Sequence, residues 1–215
     1  FESKRENALM YNDGQGYIHY QKGSLIFYAL SDYLGEKKLN NTLSKYVKKV
    51  AFQNPPYTTS IDLVNHIKTA TPDSLNYLIE DMFETITLYE NKIVSAESKE
   101  LDDGKYQIDF EFMISKYRND EKGKTFYGDR DKDSIFYKSE DMRRPKYSVY
   151  LEDYIDIGVF NDDDEELYMK KHKITSINNN LSIILDEKPY EVGVDPYNKL
   201  IDVNSDDNRK KINLN

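Results

Sequence analysis

The feature that most constrains this chain is a change of hydrophobic period near Thr87: apolar residues recur at three- and four-residue steps before it and alternate after it. A helix buries one face with a period of about 3.6 residues and a half-exposed strand with a period of about 2, so the two stretches must build different layers. Ahead of the change, Leu25, Ile26, Ala29, Leu30, Tyr33 and Leu34 fall on one stripe, and Gly35 stands where such a helix would stop. Leu39, Leu43, Tyr46, Val47 and Val50 repeat the spacing until Asn54-Pro55-Pro56 forbids its continuation. Ser60 is the expected cap of a third helix carrying Ile61, Val64, Ile67 and Ala70. Thr71-Pro72-Asp73 offers a cap and a first-turn proline to a fourth, with Leu75, Leu78, Ile79, Met82 and Phe83.

Beyond the change, Tyr106, Ile108, Phe110 and Phe112 alternate with Gln107, Asp109 and Glu111, as a strand with one wet face should. Ile155, Ile157 and Val159 alternate likewise, and Asn161-Asp162-Asp163-Asp164 predicts a hairpin turn into Leu167 to His172. Leu181, Ile183 and Leu185 make a further strand before Glu187-Lys188-Pro189. The expected fold class is α+β: a helical region over residues 1–86, then an antiparallel β-sandwich over 87–215. Residues 117–146, charged and poor in aliphatics, predict a long mobile loop. The tail from Asp202 is expected on the surface, pinned by Ile212 and Leu214.

A hydrophobic fraction of 38% against 32% charged residues sits on the polar side of the globular range, but 19 Tyr and 9 Phe argue for a packed core. The net charge of −9 repels phosphates, which argues against a nucleic acid partner and against anionic lipid for the chain as a whole. Without cysteine there is neither a disulfide nor a thiolate metal ligand. No stretch reaches the roughly 18 uninterrupted apolar residues of a spanning helix, and Phe1-Glu2-Ser3-Lys4-Arg5 lacks the apolar core of a signal peptide. A start on Phe1 rather than Met is expected of residues from inside a longer product.

Tyr17-Ile18-His19-Tyr20-Gln21-Lys22-Gly23-Ser24 runs into the first apolar stripe and is followed by Leu34-Gly35-Glu36. This Tyr-x-Lys-Gly at a helix start resembles the aminopeptidase N family of zinc gluzincin metallopeptidases. The resemblance continues through Asp73-Ser74-Leu75, Asp81-Met82-Phe83-Glu84 and Ile86-Thr87-Leu88-Tyr89-Glu90-Asn91. It returns at Asp153-Tyr154-Ile155-Asp156-Ile157-Gly158-Val159-Phe160 and Asp195-Pro196-Tyr197-Asn198-Lys199-Leu200-Ile201-Asp202, which look like the bacterial branch fused to a transporter permease. It implies a C-terminal fragment whose helices complete a thermolysin-like catalytic domain and whose parent, membrane-associated in a bacterium, removes N-terminal residues from peptides with zinc. The localisation of the fragment itself stays open.

By the same resemblance Tyr20 is the catalytic residue of this piece, its hydroxyl donating to the oxyanion of the tetrahedral intermediate. His19, Lys22 and Gly23 are substrate-side or structural: His19 next to Tyr20, Lys22 paired with a carboxylate in the catalytic domain or lying over the helix, Gly23 allowing close backbone approach. The metal motif is not here. Such a site needs two His four apart with a Glu between them, whereas His19, His66 and His172 have no such spacing. His66 and His172 therefore read as surface or packed imidazoles rather than ligands, and the chain is expected to hold no cofactor, zinc belonging to the parent. The acidic run Asn161 to Glu166 lacks the spaced order of a calcium loop and reads as a solvated turn. The expected partners are a peptide substrate, through the missing catalytic portion, and the remainder of the same polypeptide; a membrane enters only through the parent. The competing reading is a non-catalytic docking module of a transporter-associated, peptidase-like protein, because a fold outlives its site.

Overall fold

The computed structural model describes residues 6–127, 135–136 and 149–214. Their contacts divide into two units, Phe1–Thr87 with Arg118–Lys124, and Leu88–Tyr117 with Thr125–Asn215. The fold is α+β, helices first and mainly antiparallel sheets after.

In the helical unit, α1 (Gly23–Leu34) and α2 (Glu36–Val50) are separated by Gly35 alone, whose φ of +85° a residue with a Cβ adopts only under strain. The third helix, α3, spans Ser60–Ala70. Its cap is Thr59 rather than Ser60: Asp62 stands three residues beyond Thr59 and accepts its backbone N–H at 2.7 Å, closing a capping box. Ser60 instead donates its hydroxyl to Met10 O at 2.6 Å. Thr71 also departs from expectation, because its hydroxyl turns back to Ile67 O at 3.0 Å and closes α3 rather than opening the next helix. Beyond it the chain makes a 3₁₀ turn (Asp73–Leu75), one α turn α4 (Asn76–Ile79) and a π turn (Glu80–Glu84). Ile26, Ala29, Leu30, Leu39, Val64, Ile67, Leu78, Ile79, Met82 and Phe83 form one buried cluster. Each large side chain among them contributes about 1.5–3 kcal/mol relative to exposure. Leu25, Val47 and Ile61, counted on the apolar stripes, lie at their margins and are exposed.

The second unit contains two sheets. In one, β1 (Ile86–Glu100) and β2 (Tyr106–Asn119) are neighbours. Further out lie β3 (Thr125–Tyr127), then β4 (Ile135–Phe136). The other sheet begins with β5 (Asp153–Phe160) and β6 (Glu166–Ile174), an antiparallel hairpin. Its turn is tied by Asn161 Oδ1, which accepts the backbone N–H of Asp163 and Glu165 at 3.0 and 2.9 Å. The next strand, β7 (Asn178–Leu185), joins the first sheet against β2, with Phe110 opposite Leu181. Strands β8 (Glu191–Val194) and β9 (Arg209–Lys211) extend the second sheet beyond β5, and β10 (Asn213–Leu214) pairs with β1 in parallel. Ile93, Ile108, Phe110, Phe112 and Ile183 of the first sheet share one core cluster with Ile155, Ile157, Val159, Val192 and Val194 of the second.

Two readings of this unit change. The loop expected over 117–146 is strand through Asn119 and again at β3 and β4, while residues 128–134 and 137–148 lie outside the described residues, and with them most of the mobility expectation. Strand β5 has no wet face: it is flanked by β6 and β8, and Asp156, Gly158 and Phe160 are buried along with Ile155, Ile157 and Val159. Gly193 beside it marks a close approach, since a Cβ there would sit 2.8 Å from Pro196 Cβ. Ile212 is buried and pins the tail as expected.

Candidate functional site

The segment singled out by resemblance, Tyr17–Lys22, winds as a π turn directly into α1. Such wide turns inside helices occur frequently at functional sites. Ile18 and Lys22 are buried on one side of it, while His19 and Tyr20 face solvent. Lys22 Nζ pairs with Glu6 Oε1 at 3.0 Å, with the lysine side chain 8% exposed and the glutamate 34%. Lys22 is thus an anchor of the turn, paired within this chain with Glu6.

Tyr20 is 74% exposed, and among the described residues nothing bonds its hydroxyl. Its ring lies 4.4 Å from that of His19, centroid to centroid, at 49°. His19 in turn meets Asn12 Nδ2 through Nδ1 at 3.0 Å. An amide nitrogen only donates, so Nδ1 accepts and the imidazole proton sits on Nε2. A phenol donor and an imidazole N–H therefore stand side by side in water, held from below by Ile18, Lys22 and Asn12. Gly23 is not a point of close approach within this chain: a Cβ there would meet Ile18 O and Leu9 Cδ1 at 3.8 Å, ordinary contact distances.

The other imidazoles are occupied locally. His66 Nε2 donates to Thr42 O at 3.0 Å and its ring packs near Tyr46. His172 Nε2 lies 2.7 Å from the Tyr168 hydroxyl, and burial, helped by nearby Lys170, holds its pKa below the ordinary histidine value. Among the described residues no three His, Asp or Glu side chains converge in a way that could hold a metal ion.

Charge is concentrated elsewhere, at residues to which the sequence analysis gave no role. Lys116 Nζ and Asp153 Oδ1 are 2.9 Å apart with 4% and 3% of their side chains exposed, and the Tyr89 hydroxyl donates to Asp153 Oδ2 at 2.8 Å. Asp156 accepts from Lys199 Nζ at 2.7 Å and Lys171 Nζ at 2.8 Å. Asp195 takes the backbone N–H of Lys199 and Leu200 at 3.0 and 2.8 Å. Burial nevertheless pushes its carboxyl up to about 7, those two donors opposing the rise and Asp156 and Asp202 adding to it. In the helical unit, Arg118 bridges Glu80 at 2.9 Å and Asp81 at 3.0 Å. Asp153, Asp156 and Asp195 lie in the runs that carried the resemblance, and the structure uses them internally, two in ion pairs and one against backbone amides. The one legible signal was an Asp placed between aliphatics on β5. No protein-family model and no curated protein matches this chain.

Proposed function

We propose that this chain is the C-terminal part of a zinc aminopeptidase of the gluzincin type, which removes N-terminal residues from peptides. On this reading the helical unit completes the catalytic domain and the second unit is a β-sandwich, a reading supported by two sheets feeding one core. The observation that carries the proposal is Tyr20: a solvent-facing phenol on a π turn, inside Tyr-x-Lys-Gly, with its hydroxyl uncommitted among the described residues. In the catalytic step Tyr20 donates a hydrogen bond to the oxygen of the scissile carbonyl as that oxygen gains charge, which requires a separation of about 2.7–3.1 Å at that stage. Lys22, bound to Glu6, fixes the turn that aims it. Zinc and the general base belong to the rest of the polypeptide, which is the principal partner of this chain and its link to a membrane; the chain alone does not hydrolyse peptides.

Hydrolysis of aminoacyl-anilides and zinc content, measured on the full polypeptide and on this chain, test the proposal. The full polypeptide is expected to retain stoichiometric zinc through dialysis against a weak chelator and to turn over substrate, while the 215-residue chain does neither. A full polypeptide with neither zinc nor turnover overturns the proposal and leaves the docking-module reading.

A further inference from the structure

Between α2 and α3 the chain breaks two local rules at one residue. Phe52 stands entirely in solvent, at 105% relative exposure, and its φ is +59°, a left-handed conformation that costs a residue with a Cβ roughly 1–2 kcal/mol. Burial does not offset that strain, which sits in a turn closed by Gln53 N–H to Val50 O at 3.3 Å, and strain of this kind gathers at functional positions. Around it Ala51, Pro55, Pro56 and Tyr57 are also exposed, Tyr57 at 68%, with Val47 and Ile61 at the flanks. Lys45, Lys48 and Lys49 are exposed in the last turns of α2, which lead directly into this tip. Among the described residues none of the three forms an ion pair, and the acidic group close enough to feel Lys49 is Asp62, committed to the cap of α3.

We propose that this tip, Phe52 and Tyr57 with Lys45, Lys48 and Lys49, is a binding site for an anionic lipid surface. Aromatic rings seat at the depth of the headgroups, the aliphatic surround of Ala51, Pro55 and Pro56 suits the acyl boundary, and the ammonium groups meet lipid phosphates. The net charge of −9 does not oppose this locally, because the acidic excess resides in residues 88–215 while the first 87 are nearly balanced. The inference is independent of the aminopeptidase reading, since no residue of the Tyr17–Lys22 turn takes part.

Vesicle flotation of the 215-residue chain tests it, using phosphatidylcholine vesicles with and without 30% phosphatidylglycerol by design, about the fraction that gives a strongly negative surface. Binding to the anionic vesicles is expected to exceed binding to neutral ones at least tenfold and to vanish at about 0.5 M salt, where the screening length falls to roughly 4 Å. Replacing Lys48 and Lys49 by Gln should weaken binding about 30-fold, roughly fivefold per charge. Phe52→Asn should weaken it about tenfold while leaving the melting temperature unchanged or raised, because Asn tolerates a positive φ. No flotation with either vesicle, equal flotation with both, or wild-type binding by a folded Phe52→Asn chain each overturns the proposal; the first would leave the tip to a protein partner.

Discussion

In the helical unit aromatic side chains stand in water, Tyr20 and Phe52 foremost, and the buried Lys22 leans on a carboxylate that solvent still reaches. In the β unit ion pairs are sealed in, Lys116 with Asp153 and Asp156 with Lys199, and the Asp195 carboxyl is buried against backbone amides. The difference teaches where each unit tolerates a change. Exposed aromatics contribute little to stability and are free to serve contacts, whereas a sealed ion pair is weak evidence of net stabilisation yet strongly destabilising to break. What the sealed pairs contribute is selection of one arrangement: a β strand slipped by one residue turns every side chain to the other face, and Asp156 finds Lys199 and Lys171 in one register only.

The comparison is broken most directly at Asp153. Asp153→Ala should destabilise the chain by about 3–5 kcal/mol in urea titration, because the buried Lys116 ammonium loses its carboxylate at 2.9 Å, while Lys116→Met combined with Asp153→Leu should recover most of that loss. A cost under about 1 kcal/mol for the single change would mean that water reaches the pair. Next in size is Tyr20→Phe in the full polypeptide. Removing one oxyanion donor is expected to lower kcat by about 10²- to 10³-fold with KM and melting temperature nearly unchanged, and wild-type kcat would remove Tyr20 from the reaction.

A pH titration of stability gives a smaller effect. In the fold Asp195 holds its proton up to about 7, whereas unfolded it ionises near 4. Between these values the folded chain binds a proton that the unfolded chain has lost, so the contribution is complete below about pH 4 and disappears as pH rises through about 7. Wild type should lose about 2 kcal/mol more than Asp195→Asn between pH 5 and 7. Asp202, also raised chiefly by burial, acts with the same sign in both proteins, so their difference reports Asp195 together with its coupling to Asp202. The smallest effect sharpens the contrast between units: Lys22→Met should cost about 1 kcal/mol or less, because Glu6 can turn to water, where Lys116→Met alone leaves Asp153 sealed and costs several times more.

Much of the architecture was legible in the residues: the change of layer near Thr87, the stripe of α1, the alternation of β2 and the β5–β6 turn at Asn161. Sequence determined these because hydrophobic period reports which face of an element is buried, and Gly, Pro and Asn report where it must stop. Period does not report what lies on the other side. Tertiary structure alone decided that β7 leaves its sequence neighbour β6 to pair with β2, that β10 runs parallel to β1, and that both faces of β5 are covered. It also decided the fate of the charges, for Lys116 and Asp153 are 37 residues apart and Lys199 and Asp156 are 43. A lone Lys or Asp in a sequence is most favourably placed in water, and only a partner brought from a distant strand makes its burial tolerable.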